Sequence, residues 1–377
     1  MFGLLGKKID TAKSTLLRTA LGGLIDPHNH QSFAVAGFIE RAEVLGDTAE
    51  IDVVLDYPAA GYDAELTAHI EQTARTIDGV KTVKTTIAFV SPIGSRQQGK
   101  LVPGVRNIIA VASGKGGVGK STTSVNLALA LAAEGARVGL LDADIYGPSQ
   151  PLMLGTKATP TVRDDRSMQP IMAYGLQTMS IGYLVDDKQA MVWRGPMATS
   201  ALMQLLNDTR WDDLDYLIVD MPPGTGDIQL TLAQKVPVAG SVIVTTPQDI
   251  ALLDARKAIS MFEKVNVPVI GIVENMAMHI CSNCGQVEPI FGTGGGQKLA
   301  HEYFVELLGR LPLDLAIRRD LDEGKPTVVR SPDSPITQSY RETARKMAAI
   351  LGRMVRGSDD LDGPNIIVEE GDGDAGD

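Results

Sequence analysis

Eight consecutive residues fit G-x-x-x-x-G-K-[ST], a pattern with which proteins bind phosphate groups. They are Gly114, Lys115, Gly116, Gly117, Val118, Gly119, Lys120 and Ser121. Glycines allow the sharp backbone turn that points N–H groups at phosphate oxygens. Lys120 can reach the β- and γ-phosphates, and the Ser121 hydroxyl can ligate Mg2+. We therefore predict that these residues, with the following Thr122, bind ATP and Mg2+.

Three aspartates follow apolar runs that predict buried strands. Asp142 and Asp144 come after residues 138–141, and Asp220 comes after residues 216–219. At the end of a strand beside a phosphate loop, a carboxylate is placed to bind Mg2+ or to position the attacking water. Strand-end aspartates are also common helix caps, so this position alone leaves both roles open. The Asp220 segment is typical of a Walker B strand, whose carboxylate holds Mg2+ through water.

The two cysteines of the chain, Cys281 and Cys284, have Cys-x-x-Cys spacing. A soft-metal centre is completed by four thiolates, so two chains must share an iron–sulfur cluster if these residues bind one. A redox dithiol, half a zinc site and two buried thiols remain alternatives. Redox chemistry requires the motif at a helix N-terminus, whereas Gly285 and Pro289 predict a loop. His279 is close enough in sequence to be a ligand, but we expect a loop histidine.

The elements around these residues predict an α/β fold. Residues 107–112 form an apolar run before the phosphate loop, and a helical pattern follows the loop up to about Gly135. Strand, glycine-rich turn and helix start place an anion at a helix N-terminus. Strands and helices then alternate, which predicts a mostly parallel sheet with helices on both faces and sites at the strand C-termini. A last helix is predicted from Ser334 and Pro335, an N-cap followed by proline.

Composition and turn signals divide the chain into four parts. The first has the pattern of a small α/β module, with predicted helices at 14–24 and 63–77 and predicted strands near 51–55 and 86–90. A polar, turn-rich stretch follows it. We predict an N-terminal α/β domain at 1–92, a linker at 93–104, the P-loop domain at 105–355 and an acidic, disordered tail at 356–377.

Charge and composition exclude several classes of protein. The formal net charge is −11, and eight acidic residues without any Lys or Arg lie in residues 357–377, so the remainder is near neutral. No basic stripe indicates nucleic-acid binding. No apolar run approaches the roughly 20 residues of a membrane helix, and the first residues lack the charge order of a secretion signal. Two cysteines do not make a disulfide framework. We therefore expect a cytoplasmic protein that binds neither nucleic acid nor membrane.

Lys115 is a second lysine within the phosphate loop. The loop fits K-G-G-x-G-K-[ST] and so resembles the deviant Walker-A ATPases, which include the nitrogenase iron protein, the Min and Par ATPases and the Mrp/ApbC scaffolds. The resemblance implies a P-loop NTPase fold of the MinD and nitrogenase iron protein type. It also implies that Lys115 reaches across a homodimer to the other subunit's nucleotide. The position alone does not exclude a solvated lysine at the loop mouth.

Several separated stretches resemble the Mrp/ApbC family, in the family's order. L-L-D-A-D-I-Y-G-P-S at 140–149 is similar to its switch I, which implies that Asp144 orients the attacking water. D-M-P-P-G-T-G-D at 220–227 is similar to its switch II, and T-T-P-Q-D at 245–249 to a further family motif. In the wider class an asparagine at the end of the next strand contacts adenine, which implies that role for Asn275. Residues 274–300, which contain both cysteines, resemble the cluster-binding segment.

The resemblance implies an ATPase that assembles a [4Fe-4S] cluster at a homodimer interface and transfers it to apo iron–sulfur proteins. The N-terminal module is similar to a small iron–sulfur assembly domain, although it lacks that family's usual cysteine turn. We therefore expect it to dock or regulate rather than to bind a cluster. Two alternatives remain: a Min/Par-like positioning or partitioning ATPase without a cluster, and a zinc-bridged dimeric ATPase.

Overall fold

The computed structural model describes residues 9–94, 101–163, 167–185, 195–281 and 283–359. These ranges contain a three-stranded sheet in the N-terminal module and a nine-stranded sheet in the rest of the chain. The predicted fold class, a mostly parallel sheet with helices and a small additional α/β module, is confirmed. Within the same ranges, no helix combines the length and apolar character that crossing a membrane requires.

The described part of the N-terminal module, residues 9–94, contains three helices and three strands. They are α1 (Thr11–Gly22), α2 (Phe33–Ala36), α3 (Asp63–Ala74), β1 (Ile39–Leu45), β2 (Thr48–Leu55) and β3 (Thr82–Phe89). The central strand β2 is antiparallel to β1 and parallel to β3. Every second residue of β2 is buried, as are Leu66, Ile70 and Ala74 of α3, which confirms both predicted faces. α1 begins earlier than predicted because Asp10 accepts the Lys13 N–H and caps it.

Strands and helices alternate along the remaining chain. The strands are β4 (Val105–Ala112), β5 (Val138–Asp142), β6 (Ile171–Ala173), β7 (Leu176–Ser180), β8 (Leu214–Asp220), β9 (Gly240–Thr245), β10 (Val269–Ile280), β11 (Val287–Glu288) and β12 (Glu306–Pro312). The helices are α4 (Lys120–Ala133), α5 (Gln150–Met153), α6 (Gly195–Asn207), α7 (Asp227–Lys235), α8 (Asp249–Lys264), α9 (Gly295–Glu302), α10 (Leu315–Asp322), α11 (Thr327–Arg330) and α12 (Pro335–Asp359).

The strand order of the large sheet is β11-β10-β9-β4-β8-β5-β7-β6, and β12 pairs with β10. Among the described strands, β6 with β7 and β10 with β11 form antiparallel pairs, and the inner strands run parallel. β8 and β9 are buried along their whole length, as apolar strands covered on both faces must be. Because β4 and β8 are parallel neighbours, the phosphate loop and Asp220 leave the sheet at the same edge.

The last helix, α12, begins at Pro335 as predicted, and the Ser334 hydroxyl accepts the N–H of Thr337 at 3.2 Å. It continues to Asp359, past the domain boundary expected at residue 355. Residues 360–377, most of the expected acidic tail, lie outside the described residues, as do residues 95–100 of the expected linker.

The end of α4 contacts the N-terminal module through Glu134, and helix α12 contacts it through arginines. Glu134, directly after α4, is fully buried. Its Oε1 accepts from Arg341 Nε at 2.6 Å and from Arg345 Nη1 at 2.7 Å, and its Oε2 accepts the Gly61 N–H at 2.7 Å. Arg345 Nε also lies 3.2 Å from His28 Nε2. The helix that begins in the phosphate loop therefore ends on the N-terminal module.

Candidate functional site

The phosphate loop leaves β4 and enters α4 at Lys120. Gly117 and Gly119 have φ angles of +84° and +82°, in the left-handed region that residues with a Cβ avoid. At Gly119 a Cβ would also overlap the side-chain nitrogen of Asn275. These two positions therefore require glycine for backbone reasons, as the motif predicts.

A cavity of about 300 Å³ opens over the loop. It is lined by Ser113, Lys115, Gly116, Gly117, Gly119, Lys120, Ser121, Thr122, Asp144, Ser149, Met153 and Pro223. The fold thus brings Asp144 and Pro223, from the two expected switch segments, to the loop. Two residues of the motif are placed differently: Val118 is buried, and Gly114 lies against the backbone of Asp254.

Lys115 stands at the mouth of this cavity and is half-buried. Its backbone carbonyl accepts a hydrogen bond from Ser113 Oγ at 2.8 Å, which orders the start of the loop. Among the described residues, its ammonium group has no carboxylate partner within ion-pair distance.

Asp220 ends β8 with its carboxylate fully buried. Oδ1 accepts from Lys120 Nζ at 2.5 Å and from Ser124 Oγ at 2.8 Å, and Oδ2 accepts from Gln150 Nε2 at 2.9 Å. Lys120 also lies 3.2 Å from Ser121 Oγ. A buried carboxylate needs such partners, because water cannot solvate its charge. The residues predicted to hold phosphate and Mg2+ thus contact one another directly.

The two carboxylates after β5 have different surroundings. Asp142 is fully buried and accepts backbone N–H groups of Asp144, Ser149 and Gln150 at 3.2, 3.0 and 3.1 Å. Burial, and secondarily the charge of Asp220, raise the pKa of Asp142 to about 7. Asp144 instead lines the cavity, and its pKa is raised mainly by partial burial. Asp142 therefore anchors the loop, and Asp144 is the carboxylate available to water.

Asn275 is buried beside the loop, where its Nδ2 donates to the Val118 carbonyl at 2.8 Å. It also lines a second cavity of about 330 Å³, with Met276, Pro312 and Leu313. This cavity adjoins the first one, since Gly119 and Thr122 line both. The role of Asn275 in adenine contact stays a prediction, and its observed contact is with the loop backbone.

Cys281 and Cys284 lie in a turn between β10 and β11, which form an antiparallel ribbon. The Cys281 N–H donates to the Gln286 carbonyl at 2.9 Å, and the Gly285 N–H donates to the Cys281 carbonyl at 2.8 Å. Gly285 has a φ of +72° that closes the turn. The pair is thus in a loop rather than at a helix N-terminus, as the sequence predicted.

Both thiols are free and accessible, Cys284 more so than Cys281. Backbone N–H groups of Cys284 and Asn283 lower the pKa of the Cys281 thiol, because they stabilise its thiolate. Nothing in the described part of the chain groups three or more His, Cys, Asp or Glu side chains as a metal site. His279 lies in β10 rather than in a loop, and its Nδ1 is 3.1 Å from the Leu313 carbonyl.

Two partners of Asp220, Ser124 and Gln150, were not predicted from the sequence. Ser124 lies one turn after Lys120 on α4, so helical spacing could have placed both on one face. Gln150 follows Asp142 by eight residues, through a turn and the start of α5, and carries no spacing signal. Its contact with Asp220 depends on the neighbouring positions of β5 and β8 in the sheet.

This arrangement agrees with the comparison to protein families. Residues 104–348 match the model described as NUBPL iron-transfer P-loop NTPase. The chain belongs to this family. Residues 15–85 match the model of an iron-sulfur cluster assembly protein, which confirms the resemblance of the N-terminal module. The predicted enzyme class, a P-loop ATPase, is confirmed at the level of the family.

Similar proteins from other organisms have names that also refer to iron–sulfur clusters. The iron-sulfur cluster carrier protein of Salmonella typhimurium is 58% identical over 92% of this chain and 94% of its own length. The Escherichia coli K12 protein of that name is 57% identical over 81% of this chain and 84% of its own length. A nucleotide-binding protein from Archaeoglobus fulgidus, solved in complex with ADP, is 37% identical with a TM-score of 0.55 and covers 63% of this chain and 92% of its own.

Proposed function

We propose that this P-loop NTPase assembles a [4Fe-4S] cluster between two copies of the chain and transfers it to apo iron–sulfur proteins. One observation supports the proposal most directly. Strand β10 carries Asn275, which contacts the phosphate loop, and leads six residues later to Cys281. One strand therefore connects the phosphate loop to the thiols, although it is not regular throughout: Met276 has a φ of +55°, and the register against β12 shifts between Glu274 and Met278.

The number of thiols argues for a second copy of the chain. A four-iron cluster takes four cysteine thiolates, and this chain supplies Cys281 and Cys284. Both sulfurs are accessible at the tip of the ribbon, and the pKa of Cys281 is already lowered toward the thiolate form that binds iron. A symmetric dimer whose interface includes this turn would place the turn of each subunit beside the two-fold axis and so supply four thiolates.

The nucleotide roles follow from the contacts in the loop. Lys120 and the loop N–H groups hold the phosphates, while Ser121 and Asp220 hold Mg2+, which neutralises phosphate charge when bound. To reach the γ-phosphate, Lys120 must leave Asp220 Oδ1, which keeps its hydrogen bond from Ser124 and can then also accept from the water shell of the metal. Asp144 faces the cavity and positions the attacking water.

Lys115 acts across the dimer in this proposal, and a mixing experiment tests that role. Lys115→Ala and Asp144→Asn chains should each be inactive alone. If Lys115 acts in the partner's site, mixed dimers regain one intact site, and an equal mixture recovers about one quarter of wild-type ATPase activity. If the mixture stays inactive while native mass spectrometry detects mixed dimers, Lys115 acts within its own chain and this part of the proposal is wrong.

Anaerobic reconstitution with iron and sulfide tests the cluster. We expect about two irons per chain, with an equal amount of labile sulfide, in a dimeric species. Cys281→Ser with Cys284→Ser should bind neither, whereas Asn283→Ala should bind both, because its backbone N–H remains. Transfer is then followed as activation of an apo four-iron enzyme. Zinc without iron in anaerobically purified protein, or full iron binding by the double variant, would contradict the cluster assignment.

A further inference from the structure

Gln150 occupies an unusual position for a neutral side chain. It opens α5, is 1% exposed, and places its amide between the Walker B strand and the phosphate-loop helix. Nε2 donates to Asp220 Oδ2 at 2.9 Å and to the Ser121 carbonyl at 3.2 Å. Both partners are acceptors, so only the NH2 end of the amide can face them. These two hydrogen bonds therefore fix which end of the amide is the NH2 group and which is the carbonyl oxygen.

The other end of the amide, Oε1, is buried and has no hydrogen-bond partner among the described residues. Buried polar atoms are nearly always paired, because an unpaired one loses its hydration without compensation. This acceptor belongs to a side chain that touches Asp220 and Ser121, the two residues proposed to hold Mg2+. A water bound to a divalent cation is a strong hydrogen-bond donor and suits such an acceptor.

The backbone holds Gln150 in place independently of its side chain. Its N–H donates to Asp142 Oδ2 at 3.1 Å, and Asp142 is itself fixed by Ser180 Oγ at 3.1 Å. When Lys120 leaves Asp220 for the phosphates, Ser124 on Oδ1 and Gln150 on Oδ2 are the remaining donors among the observed partners. Ser124 and Gln150 then hold one carboxylate oxygen each, so Gln150 fixes the Oδ2 side of Asp220.

We propose that Gln150 is a positioning residue of the magnesium site: its NH2 group orients Asp220, and its Oε1 accepts a hydrogen bond from a metal-bound water. This inference rests on the proposed nucleotide function and adds a residue to it. A purely structural role, in which Gln150 only fastens α5 to β8, makes a different prediction. Loss of the amide would then weaken nucleotide binding equally with and without Mg2+.

The test measures affinity for a fluorescent ADP analogue across a Mg2+ titration and in EDTA. Gln150→Met keeps the length of the side chain and the backbone N–H but removes the amide. We expect unchanged affinity in EDTA and a Mg2+ requirement raised by about tenfold or more, the usual effect of losing an outer-shell partner. Gln177→Met is the matched control. Both ends of the Gln177 amide are hydrogen-bonded to the backbone of Asp212, and the observed contacts of this amide include no residue of the nucleotide site. Gln177→Met should leave the Mg2+ requirement unchanged.

Gln150→Glu provides a second readout should Gln150→Met fail to fold. An ionised Glu repels Asp220, whereas a protonated Glu again offers one donor and one acceptor. We therefore expect its Mg2+ requirement to approach the wild-type value as the pH falls. A wild-type Mg2+ requirement in Gln150→Met, or equal losses in EDTA and Mg2+, would overturn the inference. A Glu variant whose Mg2+ requirement is raised and does not recover as the pH falls would also overturn it. Wild-type protein that binds no nucleotide in either condition would instead overturn the proposed function.

Discussion

Replacing Glu134 with Gln should weaken the contact between the N-terminal module and the rest of the chain. The carboxylate is fully buried and pairs with Arg341 and Arg345, whose side chains are only 19% and 12% exposed. Gln keeps the shape and one acceptor but leaves two largely buried guanidinium groups without a counter-charge. Breaking a buried ion pair by removing one partner costs about 3–5 kcal/mol. Because Gln retains part of the hydrogen bonding, we expect a loss of about 3 kcal/mol.

The matched control is Glu302→Gln, which breaks the exposed pair with Arg256, where the two side chains are 45% and 36% exposed. Such surface pairs contribute about 0–1 kcal/mol. Urea unfolding followed by circular dichroism compares the two variants, and hydrogen exchange of the β2 amides reports undocking of the module directly. Losses of stability that agree within about 0.5 kcal/mol, with equal β2 exchange, would refute the reasoning.

Two further predictions concern the loop and the module. Gly119→Ala should lose at least about 1 kcal/mol more stability in urea unfolding than Gly117→Ala. Both glycines have a positive φ, but only Gly119 lacks space for a Cβ, because Asn275 lies beside it. Equal losses would contradict this explanation. Burial lowers the pKa of His28 to about 4 from 6.5, so the folded state disfavours the protonated ring. The contribution of neutral His28 to the free energy of unfolding should therefore be fully present above pH 6.5. It should decrease as the pH falls toward 4, by up to about 1.4 kcal/mol per pH unit. His28→Gln should flatten this slope, and an unchanged pH profile would exclude His28 as its source.

Local chemistry explains why the phosphate loop was predictable. The motif must supply left-handed backbone at Gly117 and Gly119, a cation at Lys120 and a hydroxyl at Ser121, and these demands appear directly as residue types at fixed spacing. The buried strands were predictable for a similar reason, since a strand covered on both faces must be apolar throughout. The turn at Cys281 was also predictable, because nearby glycine and proline disfavour a helix.

Contacts between distant segments were decided only by the tertiary structure. Gln150 meets Asp220, and Glu134 meets Arg345, across 70 and 211 residues of sequence. Neither contact has a repeating spacing, because it depends on the order of strands in the sheet and on where α12 crosses α4. The sequence by itself thus determined the chemical groups of the site and their local backbone. The tertiary structure decided which buried donor contacts which acceptor. A buried polar group needs a hydrogen-bond partner, but its own sequence does not specify the segment that provides this partner.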